Sequence, residues 1–180
     1  MLTLYKAIIS ALNLILRYRG MKIGKNSLIH PSCDTFFVNL KGITIGEDVL
    51  IGRGAWLSNI SNNQNTINIG SNCKIGRNFV CHGAYKITIG AGCLFSYGVS
   101  ILDHNHKFEI NNSPTMTGID EPREIFIGSN TFIGAHSFIL KGVTLGDGCI
   151  VGANSVVKDS FPNHSIIAGS PARLIGQLSK

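Results

Sequence analysis

Two of the six histidines in this 180-residue chain stand together, in the run Asp103-His104-Asn105-His106. An imidazole titrates near neutral pH, so it can take a proton from a hydroxyl without large tuning. One base is enough for group transfer to an alcohol, so the pair poses a choice. Asp103 before the pair and Glu109 after it could orient or charge-stabilise an imidazolium, or simply be solvated in a loop. The remaining histidines, His30, His82, His136 and His164, are isolated, and isolated histidines are more often structural. The five cysteines, Cys33, Cys73, Cys81, Cys93 and Cys149, are odd in number and contain no CxxC pair. They predict buried reduced thiols rather than a disulfide framework, a zinc ribbon or a nucleophile.

A repeat positions this cluster. From Ile127 to Val157 an aliphatic residue returns every six positions: Ile127, Ile133, Ile139, Leu145, Val151, Val157. Gly follows it at 128, 134, 146 and 152. Four residues after each of the first five comes a modest side chain: Thr131, Ser137, Val143, Cys149, Ser155. Six is neither a helix period nor a simple amphipathic strand period. A short fixed repeat predicts a solenoid, in which each turn buries its apolar edge against its neighbours. Further aliphatic-Gly pairs begin at Ile23, Ile45, Ile51, Ile69, Ile75 and Ile89. The step of eighteen from Ile51 to Ile69 suits a three-sided coil with one hexad per side. The steps from Ile75 to Ile89 and from Ile89 to Ile127 each exceed a multiple of six by two, so insertions interrupt the register there. The histidine pair falls in the second interruption.

The rest of the chain divides around the repeat. Residues 1–20 are apolar apart from Lys6, Arg17 and Arg19 and predict an amphipathic helix, with Leu4, Ile8, Leu12 and Ile15 on one face. The stretch is short for a membrane span and lacks a small-residue cleavage site. A cap on the open end of the solenoid is its first reading, and peripheral membrane contact its second. Residues 21–165 form the solenoid domain. Residues 104–124, polar and carrying Pro114 and Pro122, form a loop projecting from one corner. Residues 166–180 are expected to be an extended tail, or a short strand and helix. Charged residues make up 14% of the chain and hydrophobic residues 44%, which fits buried short strands better than disorder. The net charge of +6 is scattered and accompanied by no recognition motif, so nucleic acid is not expected as a partner.

The repeats, the histidine-bearing excursion and the segment Ile127–Ile175 together resemble the hexapeptide-repeat acyltransferases. Within that family they resemble the sugar O-acetyltransferase branch: galactoside and maltose acetyltransferases, the streptogramin-type enzymes, and enzymes of capsule and lipopolysaccharide decoration. The resemblance covers nearly all of residues 21–176. It implies an all-β fold, a left-handed parallel β-helix, whose hand runs against the usual right-handed crossover and is not given by periodicity. It also implies a cytoplasmic homotrimer with active sites between subunits, acetyl-CoA as co-substrate, no metal, and direct transfer to a sugar hydroxyl.

The resemblance favours His106 as the base. Counted from Val99 it takes the eighth position, where galactoside and maltose acetyltransferases carry their essential His. The run Asn105-His106-Lys107-Phe108-Glu109 also resembles the Asn-His-Arg-Met-Asp run of the streptogramin-type enzymes. A gap of two would select His104 instead. For CoA the resemblance marks Phe132, where relatives often carry Trp, and the small residues Gly134, Ala135, Gly152 and Ala153 along the pantetheine arm. Lys158 and Arg173 match positions near the nucleotide phosphates. One departure is Val157, where the family commonly has Thr before the Lys.

Other functions fit less well. A γ-class carbonic anhydrase needs an H-x₄-H pair that this chain lacks. A serine acetyltransferase would carry a large helical N-terminal domain. Antibiotic-type or amine acetylation on the same fold remains the alternative, and a non-catalytic solenoid acting as a binding module is less well supported.

Overall fold

In a computed structural model of the chain, residues 2–35, 38–61, 66–110 and 118–179 are described, with side chains from residue 7 onward. A helix, Leu2–Tyr18, precedes short strands stacked into three sheets. Among the described residues these sheets hold six, eight and five strands. The first face begins at Lys22–Ile23, the second at Leu28–Ile29 and the third at Trp56–Asn59. Apart from the final hairpin, each strand pairs in parallel with its equivalent in the next coil. This is the all-β, left-handed parallel β-helix that the repeat and the resemblance predict.

The register explains the hexads. Ile45, Ile69, Ile89, Ile127 and Leu145 stack on the first face. Ile51, Ile75, Phe95, Ile133, Val151 and Ile167 stack on the second. Leu57, Cys81, Ile101, Ile139 and Val157 stack on the third. All are buried, and each aliphatic side chain so buried contributes about 1.5–3 kcal/mol. The modest residue four places further on has a second task. Ser27, Cys73, Cys93, Ser137 and Cys149 each donate an O–H or S–H to a carbonyl of the next coil, at 2.7–3.2 Å. The corner takes that carbonyl out of the sheet ladder, and a buried carbonyl needs a donor. This accounts for the cysteines as core residues. All five are buried free thiols. Burial pushes the Cys33 thiol up to about 11 and raises Cys81 and Cys149 as well.

Irregularity is confined to one corner. Steps from the first face to the second, and from the second to the third, stay at six residues. The excess falls between the third face and the next first face: Leu57 to Ile69, Cys81 to Ile89, Ile101 to Ile127. The eighteen residues from Ile51 to Ile69 are therefore not one coil. Ile69 pairs with Ile45, twenty-four residues before it.

Two further expectations need correction. The helix does not bury Ile8 and Ile15, which are 47% and 56% exposed. It buries Ile9, Asn13 and Leu16, with Leu12 half-buried; Leu4 lies outside the side chains described. The helix is apolar around most of its girth, so hydrophobicity alone does not choose the face. Polar anchors choose it: Asn13 Nδ2 donates to the Ser27 carbonyl at 2.8 Å, and Arg17 donates to Ile23 at 2.8 Å. Arg19 reaches the carbonyls of Thr35 and Val38 from the same helix. The chain end forms a hairpin instead of a strand and helix. Ser165–Gly169 joins the second face, and Ala172–Gln177 pairs with it antiparallel.

Candidate active site

The strand Ser100–Leu102 closes the third face of a middle coil. Asp103 and His104 follow it, where the chain leaves the solenoid for its longest excursion. Asp103 is fully buried. Its Oδ1 accepts the Ala84 N–H at 2.7 Å, and its Oδ2 accepts those of Tyr85 and Lys86 at 2.8 and 2.9 Å. These amides belong to the stretch between Cys81 and Ile89 that carries the two-residue excess. The insertion thus builds an anion nest for the carboxylate. Burial alone would push the Asp103 carboxyl up. The hydrogen bonds from His104, Ala84 and Tyr85 outweigh it and hold the carboxyl below its ordinary value.

His104 Nδ1 lies 2.9 Å from Asp103 Oδ1, and the two side chains are 4% and 0% exposed. An ionised carboxylate only accepts, so Nδ1 must carry the proton and donate it. That assignment leaves the Nε2 lone pair as the basic atom. The His104 ring meets the His82 ring edge-on, with centroids 4.9 Å apart and an interplanar angle of 88°. His82 in turn meets Trp56 at 4.7 Å. Burial, followed by the neighbouring His104, pushes the His82 imidazole down to about 4, so it is neutral at physiological pH. Its Nε2 is buried without a partner among the described residues. His82 and Trp56 were not singled out from sequence. The signal was in the register: the pairs Trp56–Val80 and Val80–Ser100 set Ser58, His82 and Leu102 in one column beneath the histidine pair.

His106 has a different setting. It is exposed on the excursion, its ring centroid 6.4 Å from that of His104. The neck of the excursion is zipped by Lys107 N–H to Gly118 O at 3.0 Å and Asp120 N–H to Asn105 O at 2.8 Å. Glu109 is exposed beyond the neck, and residues 111–117 lie outside the described ones. His136 and His164 are corner residues with left-handed backbone, φ 56° and 63°.

The residues expected to hold CoA fall in two groups. Phe132 projects from the second face between Leu94 and Ile150. Gly134 and Ala135 follow it at the corner between the second and third faces, with Gly152 and Ala153 one coil further on. A Cβ on Gly134 would meet the Ala153 backbone N at 2.5 Å, so glycine is required there by close approach of the coils. Lys158 follows the last strand of the third face, Arg173 pairs with Ala168 one coil beyond Gly152, and the two share Asp159, each at 3.2 Å. Among the described residues no cluster of His, Cys, Asp and Glu could hold a metal ion. No helix among them is long and apolar enough to cross a membrane.

Comparison with known proteins agrees with this architecture. The family model described as "Hexapeptide repeat of succinyl-transferase" matches residues 42–80 and 124–158. The galactoside O-acetyltransferase of Escherichia coli K12 is 35% identical over 118 residues, 61% of this chain and 56% of that protein. WbbJ of the same strain, named for lipopolysaccharide O-acetylation, is 36% identical over 98 residues, half of each chain. The chain thus spans about half the length of the curated relatives it matches. Among solved structures, AntD, an N-acyltransferase from Bacillus cereus bound to dTDP and 3-hydroxybutyryl-CoA, superposes with a TM-score of 0.78 at 27% identity. That match covers 93% of this chain and 88% of AntD. The stacked hexad columns contain the hexapeptide repeats that the family model matches, and the chain is similar to acyltransferases built on the same fold.

Proposed function

We propose that the protein is an acetyl-CoA-dependent O-acetyltransferase acting on a sugar hydroxyl of a surface polysaccharide or its precursor. The observation that carries this reading is the buried Asp103–His104 pair. His104 is the base, in place of His106. A hydroxyl is a poor nucleophile until its proton is removed, and an imidazole fixed by a buried carboxylate is suited to that step. His104 Nε2 takes the proton as the oxygen attacks the acetyl carbonyl of the thioester. The same nitrogen returns it to the departing CoA thiolate. Asp103 holds the tautomer and stabilises the imidazolium. Such acid–base help contributes about 10²–10⁴-fold, and positioning supplies much of the rest.

The Gly134–Ala135 and Gly152–Ala153 corner fits the pantetheine arm, because these four positions carry nothing larger than a methyl group. Phe132 packs beside it, and Lys158 and Arg173 meet the nucleotide phosphates. The relatives' names and the CoA bound to AntD support the donor. The working unit is a homotrimer. On the third face Trp56, Val80 and Phe138 share one outward column, which suits packing against a neighbouring subunit. The protein works in the cytoplasm, where Ile8, Leu14 and Ile15 rest on the inner membrane surface beside lipid-linked precursors. Leu14→Glu with Ile15→Glu should then reduce liposome association; unchanged partitioning removes the membrane contact from this reading.

The likeness to AntD favours an amine acceptor as a second reading. An unprotonated amine attacks without a strong base, so the held imidazole argues for the hydroxyl. The test is thiol release from acetyl-CoA against a panel of sugars and amino sugars. Release with a neutral sugar, abolished by His104→Ala, is expected. If no acceptor releases CoA and His104→Ala changes nothing, the enzyme reading fails; preference for amino sugars selects the second.

A further inference from the structure

The corner that carries Ala135 and Ala153 changes character along its length. Two residues beyond the paired aliphatics of the second face, successive coils present Pro31, Arg53, Arg77, Tyr97, Ala135 and Ala153. The upper coils are small, the middle aromatic, the lower coils cationic. Arg53 and Arg77 are neighbours in this column, locked by Gly52 N–H to Ile75 O at 2.9 Å and Asn78 N–H to Arg53 O at 2.8 Å. Adjacent coils lie about 4.8 Å apart. Like charges carried on adjacent coils repel. Both are exposed, and neither is paired with a carboxylate among the described residues. A groove of 460 Å³ opens beside them, lined by Ile9, Leu28, Leu50 and His30 as well as the two arginines. Its volume is that of a small-ligand site. Its walls are apolar, and its charge lies at one edge.

We infer that Arg53 and Arg77 form a subsite for the diphosphate of an acceptor's carrier group, whose apolar or planar part lies on Leu28, Leu50 and Ile9. Two guanidinium forks one coil apart can each engage one phosphate group of a diphosphate bidentately. An anion there relieves the repulsion between them. Diphosphates join sugars to nucleosides and to polyprenyl lipids, and both carriers combine this charge with a part that suits the groove. The inference rests on the acyltransferase reading for its acceptor. It deepens that reading by placing the acceptor's carrier at the lower end of the corner whose upper end takes pantetheine.

The test is binding to the intact protein saturated with CoA, so that the CoA phosphate site is filled. The probes are inorganic diphosphate, thymidine diphosphate, and vesicles containing a polyprenyl diphosphate. The variants are Arg53→Gln and Arg77→Gln, with Lys25→Gln at another corner as control. The expected result is binding of inorganic diphosphate and of one carrier, weakened about ten-fold by each arginine variant and unchanged by the control. Tighter binding of the nucleotide or of the lipid identifies the carrier. Absence of diphosphate binding to the CoA-loaded protein overturns the subsite and leaves the acyltransferase reading intact, as does equal binding by the arginine variants. Failure of CoA itself to bind overturns the acyltransferase reading; arginine-dependent diphosphate binding would still stand as a site.

Discussion

His104 and His106 are two residues apart and belong to physically different regions. His104 ends a wall. Its backbone is fixed by a strand paired on both sides, its ring rests on His82, and its Nδ1 is held by a carboxylate that three amides hold in turn. His106 rides on the exposed excursion, with backbone pairing to Ile119 across its neck. A base must be oriented before it is useful, and orientation costs entropy unless the scaffold has already removed the freedom. The wall has done so for His104. The excursion leaves the His106 side chain exposed. The contrast teaches that the irregular corner does two things: a short insertion holds the Asp103 carboxylate, and a long one carries His106 away from the wall.

The largest effect that could break this contrast is on turnover. His104→Ala should lower kcat by about 10²–10⁴-fold, whereas His106→Ala should act mainly on acceptor KM. The reverse pattern in steady-state kinetics would return the base to the excursion. Asp103→Asn comes next. It should cost at least about ten-fold in kcat, less than His104→Ala, because the imidazole survives with its tautomer unsecured. It should also cost about 1–3 kcal/mol of stability, since an amide accepts fewer of the hydrogen bonds that surround it. Ionised Asp103 is favoured by folding, because its carboxyl is held below its ordinary value. Its contribution is therefore full above the unfolded value near ~3.9 and is lost as pH falls through the lower folded value. The melting-temperature gap between wild type and Asp103→Asn should hold steady from neutral pH down to about 5 and close on further acidification. A gap that widens in acid would contradict the nest.

Much of the wall was legible in the sequence because register makes every hexad equivalent. Ile133 must be apolar for a reason that repeats at every coil, and on the first face glycine follows the stacked aliphatic in every coil from Ile23 to Leu145. Which of the two histidines is held against the wall was less legible. Counting along the chain pointed to His106, but counting does not show which side chain turns inward, and the three amides holding Asp103 come from a different coil. The helix face was misjudged for a similar reason. Its apolar residues allow several faces, and Asn13 and Arg17 decide among them through carbonyls of the solenoid.

Within the wall, stability should follow how closely neighbouring coils approach. Gly134→Ala places a methyl 2.5 Å from the Ala153 N, against backbone that cannot turn aside. Gly176→Ala, in the terminal hairpin, meets Ile166 at 3.5 Å, which is ordinary contact. Thermal unfolding should show a loss of about 1–3 kcal/mol for the first and little change for the second. Equal losses would mean that the coil spacing yields more readily than the register indicates.

The smallest effect lies at the neck of the excursion, where Lys141 Nζ is 2.6 Å from Asp120 Oδ2 and also reaches the Glu121 carbonyl at 3.2 Å. The lysine hydrogen bond holds the Asp120 carboxyl down. Asp120 is nearly half exposed, however, so water and salt screen the pair. Lys141→Met keeps the stem that packs along the coil and removes the charge. It should leave the melting temperature of the solenoid unchanged while speeding amide hydrogen exchange at Lys107 and Asp120, whose N–H groups zip the neck. The wall and the excursion would then be separable in stability, as the setting of the two histidines requires. A melting temperature that fell with the neck would instead make the excursion part of the same cooperative unit, and the distinction between wall and excursion would lose its physical ground.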